Sequence, residues 1–121
     1  MTEGDVVLTP LPQADGSIKN RPALLLRELP PFGDFLVCGI STQMRLVVPE
    51  FDATVLRSDP DFAASGLVAE SVIRLGFLAV VPMTKIPGRI GSVSEERHPT
   101  LLRRLAEHLT GRIHGKEDST T

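Results

Sequence analysis

Two short polar groups stand at the ends of apolar stretches: Arg21, which heads Arg21-Pro22-Ala23, and Ser41-Thr42-Gln43, which follows the apolar residues 35–40. A planar guanidinium can hold two oxygens of one phosphate in a fork, a hydroxyl can donate to another, and an amide can pair with the edge of a base. Each also has an ordinary structural use. Arg21 can pair with Asp5 or Asp15 at the surface, where an ion pair matters little to stability. Ser41 and Thr42 can cap a turn, and an amide such as Gln43 is commonplace at the end of a strand. Lys19, two residues before Arg21, adds a positive charge suited to binding phosphate.

Other chemistries find no support in the residues. Cys38 lies inside an apolar run with nothing beside it to lower its pKa, so it reads as a small core residue. As the single cysteine it cannot form an internal disulfide. His98, His108 and His114 sit in or around the C-terminal segment, away from Arg21, and read as exposed helical residues; they offer neither an acid–base pair nor zinc-ligand spacing. No fingerprint of a redox enzyme is present, and no metal or cofactor is expected. Arg103 and Arg104 read as a solvated helix face. Asp15-Gly16 reads as turn chemistry, and Gly4 as a backbone requirement at the entry to a strand.

The elements that must position these groups fit into one domain. The chain has 121 residues, 41% of them hydrophobic and 23% charged, with a formal net charge of -2, which places it among soluble globular chains. Its longest apolar run, residues 77–82, is too short to span a bilayer, and the N-terminus MTEGD has neither a basic nor an apolar leader region, so a reducing cytoplasm is the expected location. The pI near 5.9 and the absence of Tyr and Trp mean that any contact with nucleic acid must come from a local patch.

Ten prolines and ten glycines are scattered between short apolar runs, which predicts many short elements joined by turns. Strands are expected at 5–9, stopped by Pro10 and Pro12, then at 22–27, 34–40, 45–48, 72–81 with a bend or bulge at Gly76, and 88–93. Residues 13–20 are expected as a polar loop and 29–33 as a second loop. The near-continuous apolar character of 22–27 and 34–40 predicts burial on both faces. A short helix is expected at 58–66, ended by Gly66. The clearest helix carries Leu101, Leu102, Leu105, Leu109 and Ile113 on one stripe and starts either at Ser94, as an N-cap, or at Pro99. The strand at 71–81 reads equally as core or as dimer surface. The domain spans 1–114, and 115–121 reads as a polar, frayed tail.

Taken in order, GDVVLTPLPQADGSIKNRPALLL (4–26), FLVCGISTQ (35–43) and SVIRLGFLAVVPMTKIPGRIGSVSEE (71–96), followed by a helix, resemble the PemK/MazF family of toxins from bacterial type II toxin-antitoxin pairs. The most specific part is Gly4-Asp5, a proline-containing loop, Gly16-Ser17 and Arg21-Pro22-Ala23. The resemblance implies a mainly β (α+β) fold, a small SH3-like barrel with a short helix and a C-terminal helix. It also implies a cytoplasmic homodimer with sites in grooves at the subunit interface. The implied activity is metal-independent cleavage of single-stranded RNA by the ribose 2′-hydroxyl, leaving 2′,3′-cyclic phosphate and 5′-hydroxyl ends. The implied partner is a cognate antitoxin, commonly with a DNA-binding part.

Carried over residue by residue, Arg21 takes the place of the family's catalytic arginine and would stabilise negative charge on the phosphorane. Ser41 stands where the family usually has threonine, with Thr42 adjacent, and either would orient the phosphate through its hydroxyl. Lys19 and Gln43 would help hold the strand. The first loop is shorter than in several members and lacks a glutamate that some carry there. Two rival readings follow from the same fold: a CcdB-type toxin that binds DNA gyrase without cutting nucleic acid, and a catalytically degenerate module that binds RNA or antitoxin.

Overall fold

The computed structural model describes the backbone of residues 1–120 and the side chains of residues 1–111. Six strands, β1 (Asp5–Pro12), β2 (Ile18–Leu29), β3 (Asp34–Ser41), β4 (Ala53–Val55), β5 (Ser71–Val81) and β6 (Arg89–Ser92), form one sheet. Every pairing is antiparallel, in the order β4-β5-β3-β2-β1-β6. The sheet is curled into a half-barrel, with the short helix α1 (Phe62–Ser65) and the long helix α2 (Arg97–Thr120) packed on it.

Alternation along the strands builds two cores, one on each face. Leu24 and Leu26 of β2 join Val6, Ile40, Ile73 and Leu75 on the face that α2 covers with Leu101 and Leu105. Ala23 and Leu25 join Val7, Phe35, Val37 and Val81 on the other. Strands with near-continuous apolar sequence are thus buried on both sides, as their composition requires. On α2, Leu102 is half-buried and Leu109 exposed, so the expected stripe leaves the core after Leu105. Ile113, His114 and the polar end at 115–121 lie outside the described side chains.

Several boundaries differ from the expectation for physical reasons. β1 does not stop at Pro10 but continues to Pro12, paired with β2. The Gln13 amide donates to the Ser17 carbonyl at 2.7 Å. By the two-residue alternation of a ladder, the amides of Leu11 and Thr9 also face β2, while Pro10 and Pro12 face the side that β6 leaves free beyond Val7. β2 in turn begins at Ile18, so Lys19, Asn20 and Arg21 are strand residues, not loop.

The expected strand at 45–48 is a 3₁₀ turn over Met44–Leu46. Its amides are spent locally, Leu46 on the Gln43 carbonyl and Val47 on that of Met44, and the Val48 amide goes to the Asp52 carboxylate. The three-residue β4 is too short to leave a period in the sequence.

At the start of α2 the Ser94 alternative holds. Its hydroxyl accepts from the Arg97 amide at 3.1 Å and its carbonyl from the His98 amide at 3.3 Å. Asp15-Gly16 forms the expected turn, with the Asp15 carboxylate accepting from the Ser17 amide and hydroxyl and Gly16 at φ 87°. Gly4, at φ 92°, meets the backbone requirement read for it.

The register between β3 and β5 jumps from Cys38↔Leu78 to Gly39↔Arg74, so residues 75–77 bulge around Gly76 as the sequence predicts. The odd-numbered residues of β5 consequently change face: Ile73 and Leu75 enter one core, Phe77, Ala79 and Val81 the other. Asp52 holds the bulge. Its Oδ1 accepts from the Leu75 amide at 2.9 Å and its Oδ2 from the Val48 amide at 2.9 Å. Arg104 of α2 donates to the Asp52 carbonyl at 2.8 Å, so Arg104 is turned inward rather than solvated, while Arg103 is exposed. On β5, Val72, Ile73 and Leu75 are core, whereas Leu78 and Val80 are exposed.

A second anchor ties α2 to the loops around α1. Arg97 contacts Asp61 through Nε at 2.8 Å and Nη2 at 3.0 Å, reaches Asp59 at 3.1 Å, and donates to the Thr54 carbonyl at 2.8 Å. The Arg97 hydrogen bond, against the opposing effect of burial, holds the Asp61 carboxyl below its ordinary value.

Two outcomes are expected from these anchors. Asp52→Ala orphans two backbone donors and should cost about 2–4 kcal/mol in denaturant unfolding, with Asp52→Asn recovering part of the loss. Asp61→Asn breaks a mostly buried pair and should cost about 2–4 kcal/mol at neutral pH. Because the folded pKa of Asp61 is depressed, its contribution is complete above the unfolded carboxyl value of about 3.9 and disappears as pH falls through the folded value. The variant's stability should therefore fall less steeply than the wild type's below about pH 4 in a pH series of thermal unfolding.

Candidate functional site

The bulge and the strand order bring a set of polar side chains to one face at the open end of the sheet. Arg21, Ala23 and Leu25 share a face of β2, and Phe35, Val37, Gly39 and Ser41 share the matching face of β3. Ala23 pairs with Gly39, and Gly39 pairs with Arg74. Where the apolar residues of this face run out, a groove of about 520 Å³ opens, lined by Arg21, Ser41, Thr42, Gln43 and Arg74 among polar residues and by Leu8, Phe77, Val68 and Ile90 among apolar ones.

Four of the five side chains singled out in the sequence thus share one groove: Arg21, Ser41, Thr42 and Gln43. Lys19 does not line it. It is exposed on β2, two residues before Arg21 and opposite Leu11 of β1.

The ordinary reading of Arg21, a surface pair with Asp5 or Asp15, does not hold among the described residues. Asp5 is paired with Arg89 at 3.3 Å and accepts from the Thr2 amide at 2.8 Å, and Asp15 is bonded to Ser17. Arg21 is exposed and makes no ion pair among the described residues. Among the described residues the groove lining holds two arginines and neither Asp nor Glu, so it is cationic on a chain of net charge -2.

The neighbouring hydrogen bonds orient the other groups. The Ser41 oxygen accepts from the Gln43 amide at 3.1 Å, which leaves its O–H to donate elsewhere. Arg45 donates to the Gln43 side-chain oxygen at 2.7 Å, leaving the Gln43 NH₂ as its open donor. The lining therefore presents donors, which suits an anion.

Of the residues set aside in the sequence, Cys38, His98 and His108 do not line the groove. Cys38 is fully buried, and desolvation pushes its thiol up to about 12, so it is no nucleophile. His98 is half-buried with its Nε2 at 2.8 Å from the Leu26 carbonyl, and His108 lies against Phe51 with ring centroids 4.9 Å apart.

Sequence reasoning missed Arg74 and Phe77. The available signal was a lone charge in the apolar run VIRLGFLAVV, two residues before the glycine that bulges. Phe77 lies against Gly39 so closely that a Cβ there would meet its ring at 2.7 Å.

A curled antiparallel sheet covered on one face by a C-terminal helix, with a cationic groove on the other, defines a small barrel-type protein. A family model described as PemK-like, MazF-like toxin of type II toxin-antitoxin system matches residues 2–109, and the chain belongs to that family. Among solved structures it is similar to the Mycobacterium tuberculosis toxin MazF-mt6, at 24% identity and a TM-score of 0.61, over 85% of this chain and 93% of that one. That likeness supports the fold. No curated protein matches the chain.

The tight seat of Phe77 yields a stability test. Gly39→Ala should cost about 1–3 kcal/mol by overpacking, and Gly39→Ala combined with Phe77→Leu should recover most of it in a double-mutant cycle read by denaturant unfolding.

Proposed function

We propose that this toxin is an endoribonuclease that cuts single-stranded RNA by internal attack of the ribose 2′-hydroxyl on the adjacent phosphorus. The single observation that carries the reading is that Arg21 is free of carboxylate partners among the described residues and lines the same cationic groove as Ser41, Thr42 and Gln43. Attack forms the bond from O2′ to phosphorus and breaks the bond from phosphorus to O5′, leaving a 2′,3′-cyclic phosphate and a 5′-hydroxyl. Negative charge grows on the nonbridging oxygens along the way. The Arg21 guanidinium meets that charge with paired donors, and the free O–H of Ser41 supplies another.

Among the described residues neither histidine nor carboxylate belongs to the groove lining. In this reading the groove residues act electrostatically, with the 2′-hydroxyl proton passing to solvent or to a nonbridging oxygen and the O5′ leaving group taking one from solvent. Thr42 stands beside Ser41 as a second hydroxyl, Gln43 offers its NH₂ to a base edge or phosphate, and Lys19 lies up-strand of Arg21 where a longer RNA passes. The family reading carries two partners with it: a second copy of the chain, forming a homodimer, and a cognate antitoxin that occupies the groove. Action in the cytoplasm, where messenger RNA is met, belongs to the same reading.

Purified protein incubated in chelator with an end-labelled RNA of mixed sequence should give discrete fragments with cyclic-phosphate ends. Arg21→Ala should lower the rate at least about 10²-fold and Ser41→Ala by about 10-fold to 10²-fold, both with unchanged unfolding midpoints. Intact RNA, together with growth inhibition that survives Arg21→Ala, would replace this reading with a binding toxin of the gyrase-directed kind.

A further inference from the structure

Three large apolar side chains in the groove lining are left exposed: Leu8 of β1, Val68 of the loop between α1 and β5, and Ile90 of β6. None of them joins either core, and Val68 is 87% exposed. Clustered apolar exposure on a small protein marks a contact surface, and here it shares a groove with cationic donors.

The backbone holds these side chains in place. In the pairing of β1 with β6, Val6 faces Gly91 and Val7 faces Arg89, so Ile90 is the extra residue of a bulge, and its side chain lines the groove. The bulge is pressed onto α1: a Cβ at Gly91 would collide with the Ser65 backbone, and a Cβ at Gly66, which ends α1 at φ 73°, would collide with the Ile90 carbonyl. Only glycine permits that approach. The loop that carries Val68 is fixed by Arg57, whose amide donates to the Glu70 carboxylate at 3.0 Å and whose guanidinium donates to the Val68 carbonyl at 3.4 Å. The Ser71 hydroxyl adds a bond to the Ala69 carbonyl at 2.8 Å. Aliphatic side chains on a fixed backbone bind a ligand with little ordering cost.

A single nucleic-acid strand presents anionic phosphates beside flat, weakly polar base faces. The arginines and hydroxyls of the groove suit the first, and Leu8, Val68 and Ile90 offer the second a surface without donors or acceptors. A base plane covers such a surface without burying an unpaired polar atom, because its hydrogen-bonding groups lie at its edges. The chain has no Tyr or Trp, and Phe77 is packed against Gly39, so aliphatic side chains take the part that aromatic platforms play in other single-strand binders. Resting on the reading of the groove as an RNA site, we propose that Ile90 and Val68 are specificity-determining residues, which hold one base near the scissile phosphate by shape and apolar contact. Leu8 completes the surface, and none of the three takes part in the bond changes.

The test uses the whole protein. The strongest cut site is mapped on a mixed-sequence RNA, and a short labelled RNA of that sequence, carrying 2′-fluoro groups that prevent attack, serves as the binding probe. Each nucleotide of the probe is replaced in turn by an abasic one. Affinities are measured for the wild type, Ile90→Ala, Ile90→Val and Val68→Ala over a series of sodium chloride concentrations, with thermal unfolding and gel filtration alongside. Ile90→Ala and Val68→Ala should each bind the intact probe about three- to tenfold more weakly. Their dependence of log-affinity on log-salt should be unchanged, because no phosphate contact is lost. One abasic position should cost the wild type about tenfold and the alanine variants much less, which couples that base to Ile90 and Val68 in a double-mutant cycle. Ile90→Val should keep most of the affinity, and Val68→Ala, which alters an exposed side chain, should leave the unfolding midpoint in place.

A wild type that cuts and binds RNA while no abasic position couples to Ile90 or Val68 would overturn this assignment and leave the nuclease reading standing. Alanine variants that bind the probe as the wild type does but elute at a different size would overturn it in favour of a contact between copies of the chain. RNA that the wild type neither cuts nor binds would remove both readings together.

Discussion

The Asp52 carboxylate accepts from the Leu75 amide at the point where β5 leaves the ladder of β3, and much of the molecule depends on that hydrogen bond. A bulge strands a buried backbone donor, and leaving it unpaired is costly. Satisfying it from a buried carboxylate lets one strand serve two cores, with Ile73 and Leu75 on one face and Phe77, Ala79 and Val81 on the other. The same change of face sets Arg74 and Phe77 beside Gly39 at the mouth of the groove. Arg104 reaches from α2 to the Asp52 backbone, so the terminal helix, distant from the groove in sequence, helps to fix the loop that holds the bulge.

Charge is distributed with the same economy. The two acids that the sequence offers as partners of Arg21 are engaged elsewhere, Asp5 by Arg89 and the Thr2 amide, Asp15 by its own turn. Those around α1 are gathered by Arg97 into a cluster that ties the start of α2 to β4 and α1. What remains at the open end of the sheet is a pair of arginines among hydroxyl and amide donors. An acidic protein thereby presents a local cationic surface without a basic charge overall.

The places where sequence and structure part company share a cause. Pro10 and Pro12 read as strand breakers because they cannot donate, yet β1 tolerates them since their ring nitrogens face an edge that β6 does not reach. Residues 45–48 carry strand-forming types, but their amides are claimed by a 3₁₀ turn and by Asp52 before any strand can take them. Arg104 has the spacing of a solvated face and turns inward because two carbonyls of the preceding loop lie within reach.

The sequence by itself determined the strands buried on both faces, the turn at Asp15-Gly16, the bulge at Gly76, the terminal helix and the inert character of Cys38. All of these follow from local hydrophobic pattern and backbone chemistry, which are properties of neighbours along the chain. It also marked Arg21, Ser41, Thr42 and Gln43, but it could not say whether Arg21 was a solvated ion-pair partner or a groove residue. Only the tertiary structure decided that, by pairing Asp5 with Arg89, and only it brought in Arg74, because whether a charge on an apolar strand meets solvent, core or a groove depends on strand order and on a register shift between residues far apart in the chain.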